Sequence, residues 1–168
     1  DSTNVFKKNL MTLLGVIHND HFQWLNNKSI DGVIHEKTTK LLNSNIFINK
    51  QVTDGIRQKI EVSLDQNISN KYYFGKNFNI LKSENGFIQY QDELGELILP
   101  EPNILGEHQL YNISTSIAAS RKIFNVKDQD IKLGIQNIAL KGRLQEIKSG
   151  KLKNIAGNNR LVIDGGHN

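Results

Sequence analysis

Hydrophobic positions along this chain follow two rhythms. Short apolar runs appear at Thr12 to Ile17 ("TLLGVI"), Asn45 to Asn49 ("NIFIN") and Leu161 to Ile163, each bounded by polar residues. Runs of that length, rich in branched side chains, read as buried strands. Between the first and last of them, apolar residues recur three or four apart. Ser29 to Leu42 carries them at 30, 33, 34, 41 and 42, with Ser29 placed to cap a helix. Val52 to Asp65 carries them at 52, 56, 60 and 64, the stripe of an amphipathic helix. Ile113 to Phe124 ("ISTSIAASRKIF") reads as a helix of small residues able to sit close against a sheet. Asp128 to Ala139 reads as another helix, with apolar positions 131, 135 and 138.

From Tyr72 to Leu99 the pattern changes to short alternating runs, "YYFGKNFNIL", "GFIQYQ" and "GELILPEP", split by Gly, Asn and Ser. This predicts a small antiparallel meander, closed by Pro100 and Pro102. Strands alternating with helices, with a β insertion among them, predict an α/β fold with helices layered on a sheet.

Composition narrows the function classes. With no cysteine, the chain has no disulfide, no thiolate metal site and no cysteine nucleophile. No apolar run approaches the length of a membrane span, so no membrane partner is expected and the cytoplasm is the expected compartment. A net charge of +4 invites an anionic partner, but no run of basic residues exceeds two. Without a basic stripe, nucleic acid is not expected.

Five polar clusters could carry chemistry. His21 follows the first strand, where an imidazole can bind a divalent metal or phosphate, or stand as an ordinary surface or capping residue. Glu36 and Lys37 lie on the next helix, about 100° apart, and by default form a solvated face. Gly106 to Asn112 ("GEHQLYN") leads into the small-residue helix. Asn112 there can cap it or offer one acceptor and two donors to a base edge such as adenine. Gly142 frees a turn before Arg143, whose planar fork suits phosphate, although a surface arginine after glycine is common. Last, "DGGHN" follows the final apolar run. Asp164 can accept from ribose hydroxyls while glycines let backbone approach a ligand; Asp-Gly is also ordinary turn chemistry.

The order of these clusters resembles the Mur ligase superfamily, and within it the folylpolyglutamate synthase and dihydrofolate synthase family. "DSTNV" at the start is similar to the family's Asp-Ala-Thr-Asn-Val. Asp20-His21 and Glu36-Lys37 resemble its strand-end Asp-His and helical Glu-Lys. Gly106, His108, Gln109 and Asn112 match Gly-x-His-Gln-x-x-Asn, Gly142-Arg143-Leu144-Gln145 is similar to Gly-Arg-Leu-Glu, and "DGGHN" to Asp-Gly-Ala-His-Asn. There are departures too: Thr38-Thr39 stand where the family has Ala-Gly, Leu140-Lys141 where it has Trp-Pro, and Gln145 replaces its Glu.

The resemblance implies the C-terminal part of a Mur-ligase-type central ATPase domain, truncated at both ends. Residues 1–145 would form that partial domain, with the β insertion at about 72–99, and residues 146–168 the start of a C-terminal ligase domain. It implies an ATP-dependent carboxylate–amine ligase that adds L-glutamate to dihydropteroate or folate through an acyl phosphate. ATP and Mg2+ are the implied cofactors. His21 and a carbamylated Lys37 would serve the metal, and Asn112, Arg143, Asp164 and His167 would serve ATP. Because the family's glycine-rich phosphate loop and a magnesium-holding glutamate lie upstream of the matched stretch, the fragment alone is expected to be inactive. It would need a complementing polypeptide. The alternative is a non-catalytic binding or interaction module, or the remnant of a decaying gene.

Overall fold

A computed structural model describes residues 9–18, 25, 28–39, 41, 45–64, 70–82 and 85–165 of the chain. Its first sheet holds three parallel strands in the order β1 (Thr12–Leu14), β2 (Asn45–Ile48), β3 (Asn70–Tyr73). Helix α1 (Ile30–Thr38) links the first pair, and α2 (Asp54–Ser63) links the second. Both helices begin where their sequences supply a cap. The Ser29 hydroxyl accepts from the Gly32 N–H, and the Thr53 hydroxyl accepts from the Ile56 N–H.

β2 is buried on both faces, as the middle strand of a parallel sheet must be. Successive side chains point opposite ways. Ile46 and Ile48 join Val33, Ile34, Ile60 and Tyr73 beneath α1 and α2. Phe47 joins the other core, with Ile113, Ile117 and Ala118 of α3 (Glu107–Phe124) and the inner face of the second sheet. Phe47 also stacks on Tyr72, with ring centroids 4.6 Å apart. Each such side chain contributes about 1.5–3 kcal/mol by leaving water.

The second sheet is an antiparallel meander of β4 (Phe78–Lys82), β5 (Phe87–Asp92) and β6 (Gly95–Pro100). Ile80, Tyr90 and Leu97 pair across it and face inward, while the Leu81, Gln89 and Ile98 row faces out. α3 packs on this meander and on the first sheet; its small residues Ser114, Thr115, Ala118 and Ala119 are all buried there. The Ser114 and Thr115 hydroxyls donate to the Tyr111 carbonyl, so neither is left unpaired. α4 (Asp128–Gln136) covers β6. A third, two-stranded sheet pairs β7 (Gln145–Glu146) with β8 (Val162–Ile163), and α5 (Lys151–Ala156) lies between them in sequence. No helix among the described residues is long and apolar enough to cross a membrane.

Four expectations change. Tyr72 and Tyr73 do not open the meander, because β3 pairs in parallel with β2 and the insertion begins at Phe78. α3 starts at Glu107, so Asn112 lies inside the helix and cannot cap it. α5 spans only 6 residues and buries none of them; Leu152 and Ile155, three apart, are both exposed, and so short a stretch did not mark a helix in the sequence. The final apolar run forms a strand, but Val162 and Ile163 are exposed, with only β7 beside them among the described residues.

One buried ion pair ties meander to helices. Arg121 Nε lies 3.2 Å from Asp92 Oδ2, and both side chains are more than nine-tenths buried. The same carboxylate accepts from the Tyr90 hydroxyl at 2.9 Å and from the Leu94 N–H. Burial first, and then Asp92, pushes the Tyr90 hydroxyl far above the ordinary phenol range. Removing one partner leaves an uncompensated buried charge, so Asp92→Ala should lower the unfolding free energy by about 3–5 kcal/mol in urea titrations. Lys59→Ala, which removes the exposed pair with Asp31, should change it by less than about 1 kcal/mol.

Tyr73 makes a second prediction. Its hydroxyl is buried without a partner among the described residues, and burial, helped by Glu61, pushes it up from 10.0 to about 12. Between those values the unfolded phenol ionises before the folded one, so the folded state binds more protons. Stability therefore falls as pH rises from 10.0 towards about 12, by up to about 1.4 kcal/mol per pH unit. Tyr73→Phe should abolish that contribution and raise neutral-pH stability by about 1 kcal/mol, since an unpaired hydroxyl is removed. Unfolding curves of both proteins across this alkaline range would decide it.

Candidate functional site

Ligands of open α/β sheets bind beyond the carboxyl ends of the parallel strands. Here that edge is built by the segments that follow Leu14, Ile48 and Tyr73. Gln51 holds two of them together. Its oxygen accepts from the Ile17 N–H at 3.0 Å, and its nitrogen donates to the Gly15 and Asn49 carbonyls at 3.2 and 2.9 Å. Asn49 is tied back by its own N–H, which donates to the Leu14 carbonyl. Beside this edge lies a hollow of about 300 Å³, bordered by Asn49, Lys50, Thr53, Arg57, Tyr73 and Phe74.

The first turns of α3 press against the same edge. Lys50 Nζ donates to the Tyr111 hydroxyl at 2.7 Å and sits 4.2 Å from the centre of that ring. Phe74 meets the Tyr111 ring edge-on, with centroids 5.2 Å apart. Tyr111 in turn donates to Glu107. Asn112 lies here too: its Oδ1 accepts from Asn49 Nδ2 at 2.7 Å, while the residue as a whole stays exposed.

A second group gathers Gly106, His108, Gly142, Leu144 and Asp164. Gly106 begins α3 with φ of 99°, and a Cβ there would fall 2.6 Å from His108 Cε1 and 3.2 Å from Leu144 Cδ1. Only glycine suits both that backbone and that crowding. Leu144 has φ of 45°, an uncommon conformation for a residue with a side chain. The Asp164 carboxylate helps hold it, accepting from the Leu144 N–H at 2.8 Å, and the Gly165 N–H donates to the Gly142 carbonyl. Gln145 Oε1 accepts from the Gly142 N–H at 3.0 Å. Thus the "GRLQ" and "DGG" segments form one unit, and Leu144 touches the start of α3.

Arg143, in the same "GRLQ" segment, is exposed and borders a hollow of about 390 Å³ with Ile104, Leu140, Leu144, Gln145 and Lys148. Lys37 stands exposed in the last turn of α1. His21 and His167 lie outside the described residues. Among the described residues no three His, Cys, Asp or Glu side chains come together to hold a metal. Asn49, Lys50 and Gln51 escaped the sequence reading. The signal was there: three polar residues directly after an apolar run, the pattern that drew attention to Asp164.

No family model and no curated protein matches the chain. Solved structures do. The apo form of Lactobacillus casei folylpolyglutamate synthetase superposes with a TM-score of 0.76 at 20% identity, over 100% of this chain and 41% of that one. Mycobacterium tuberculosis folylpolyglutamate synthase, complexed with ADP and AMPPCP, gives 0.71 at 19% identity, over 94% and 36%. Escherichia coli FolC with ADP, described as lacking its folate substrate, gives 0.73 at 22%, over 93% and 34%. The chain therefore spans less than half the length of the solved proteins it matches, and over that span it has the fold of the folylpolyglutamate synthetases.

Proposed function

We propose that this chain is the central segment of an ATP-dependent carboxylate–amine ligase that adds L-glutamate to dihydropteroate or to a folate. The whole-chain likeness to folylpolyglutamate synthetases, two of them with adenine nucleotides bound, is the observation that carries this reading. In such a reaction a substrate carboxylate oxygen takes the γ-phosphoryl group of ATP and ADP leaves. The glutamate amine then attacks the acyl carbon, and phosphate departs carrying that oxygen. Magnesium, when bound, shields charge on the transferred group.

Within this reading Asn112 reads the adenine edge, Arg143 faces phosphate, Asp164 serves the ribose, and His167 belongs to the same ATP-binding set. Residues 1–145 belong to the ATPase domain and 146–168 open the ligase domain. His21 and a carbamylated Lys37 serve the metal. The substituted motif positions fit what surrounds them. Gln145 keeps the acceptor oxygen that a glutamate would offer to Gly142, and the buried Thr38 hydroxyl is paired with the Ile34 carbonyl and the Ser63 hydroxyl. That integration favours a retained ligase segment over a decaying remnant or a bare interaction module.

Two outcomes follow. In calorimetric titrations with ADP, Asn112→Ala and Arg143→Ala should each weaken binding by about tenfold, the worth of one or two hydrogen bonds; unaltered affinity in both would count against the assignment. The purified chain alone, given ATP, folate and L-glutamate, should release no glutamate-dependent phosphate. Glutamate-dependent phosphate release by these 168 residues alone would count against reading them as one segment of the ligase.

A further inference from the structure

We propose that Asn49 is a positioning residue for Asn112, and that it sets which way the Asn112 amide faces through a one-way chain of hydrogen bonds running from the Lys50 backbone to the His108 ring. This rests on the nucleotide reading of Asn112 given above. The chain starts at a group with no choice of role. The Lys50 backbone N–H can only donate, and it donates to Asn49 Oδ1 at 2.7 Å. Asn49 is 3% exposed, so its amide is enclosed, and its nitrogen is turned to Asn112 Oδ1 at 2.7 Å. Asn112 Nδ2 then donates to Gln109 Oε1 at 3.1 Å. Gln109, 9% exposed, presents its nitrogen to His108 Nε2 at 3.0 Å.

An amide nitrogen has only donors, so this last contact requires His108 Nε2 to be the acceptor. Neutral His108 therefore carries its proton on Nδ1. Gly106 makes the ring position possible, since a Cβ there would lie 2.9 Å from His108 Nδ1. Each amide in the series is polarised by the one before it, which strengthens the chain as a unit.

The links use one of the two Asn112 amide hydrogens and one acceptor site of its oxygen. The exposed remainder is a donor beside an acceptor, the pair that matches adenine N7 and its exocyclic amine. Reversing the amide would exchange the two, and a base held in the same pose would meet donor with donor. Asn49 touches no ligand in this scheme; it acts through Asn112.

Nitrogen-15 spectra of the histidine rings read the chain directly, because the two neutral tautomers have different ring-nitrogen shifts. In neutral form, as selected by recording spectra at rising pH until the ring signals stop moving, the wild-type chain should show His108 protonated on Nδ1. Asn49→Asp offers only acceptors to Asn112, so every amide should turn and His108 should move its proton to Nε2. Asn112→Asp, at an exposed position and so tolerant of a charge, should cause the same shift through Gln109 if the buried carboxylate of the first variant prevents folding. Protonation of Nε2 in the wild type, or an unchanged tautomer in a folded variant, overturns the proposal.

Titration with ATP and with ITP, whose base carries an oxygen in place of the amine, reads the consequence. Wild type should prefer ATP by about tenfold and Asn49→Asp should lose the preference; an unaltered preference overturns the positioning role. Binding of neither nucleotide by the wild type would sink the nucleotide reading, while the tautomer would still decide the hydrogen-bond chain.

Discussion

Everything in this structure depends on one short strand that must be buried on both sides. β2 sends Phe47 into one core and Ile46 and Ile48 into the other, and each of the three is no more than 1% exposed. A strand with a single buried face could slip by one residue and exchange inside for outside. β2 cannot, because either face would then receive a side chain shaped for the opposite core. Its pairings with β1 and β3 fix the register on both edges. Its carboxyl end is therefore delivered to a fixed place, and Asn49, Lys50 and Gln51 with it.

That delivery explains why the polar edge of the sheet is so fully bonded. Gln51 spans to the segment after β1, Lys50 reaches Tyr111, and Asn49 reaches Asn112. Three consecutive residues thus hold a loop, an aromatic ring and a helix. Asn49 and Gln51 are buried while Lys50 is exposed, and each finds a partner that the packing has already placed. The cost of ordering them is small because the strand and α3 are immobilised by apolar contacts. In this sense the polar edge is a consequence of the two cores, and any chemistry at it inherits their rigidity.

The elements around β2 were legible because burial on one side leaves a period. α1 and α2 show their apolar spacing and their Ser29 and Thr53 caps. Pairing partners were less legible. "YYFGKNFNIL" carries the right residues for strands, but nothing local says that Tyr72 and Tyr73 turn to β2 while Phe78 starts a new sheet. α5 went unread because 6 residues carrying one exposed apolar pair, Leu152 and Ile155, are too few for a period to stand out. At the site the asymmetry is similar. Gly106, Asn112 and Asp164 drew attention through a spacing that resembled a family's motifs, whereas Asn49 reads locally as a polar residue closing a strand. What it holds is 63 residues away in the chain, and only folding brings the two together.

The second polar unit follows a different logic, and the contrast bears on how the two came to lie together. Where Asn49 is enclosed and held by surrounding packing, Asp164 is exposed and its neighbours are loops. Its hydrogen bond to the Leu144 N–H supports a residue in a conformation that costs about 1–3 kcal/mol. The Gly165 N–H to Gly142 carbonyl bond and the Gly142 N–H to Gln145 bond brace the same loop beside that carboxylate. The two units meet where Leu144 and His108 crowd Gly106. A rigid amide face and a strained glycine loop thus share one residue, Gly106, whose missing side chain lets both approach the start of α3. Any larger residue there would separate them without touching either core.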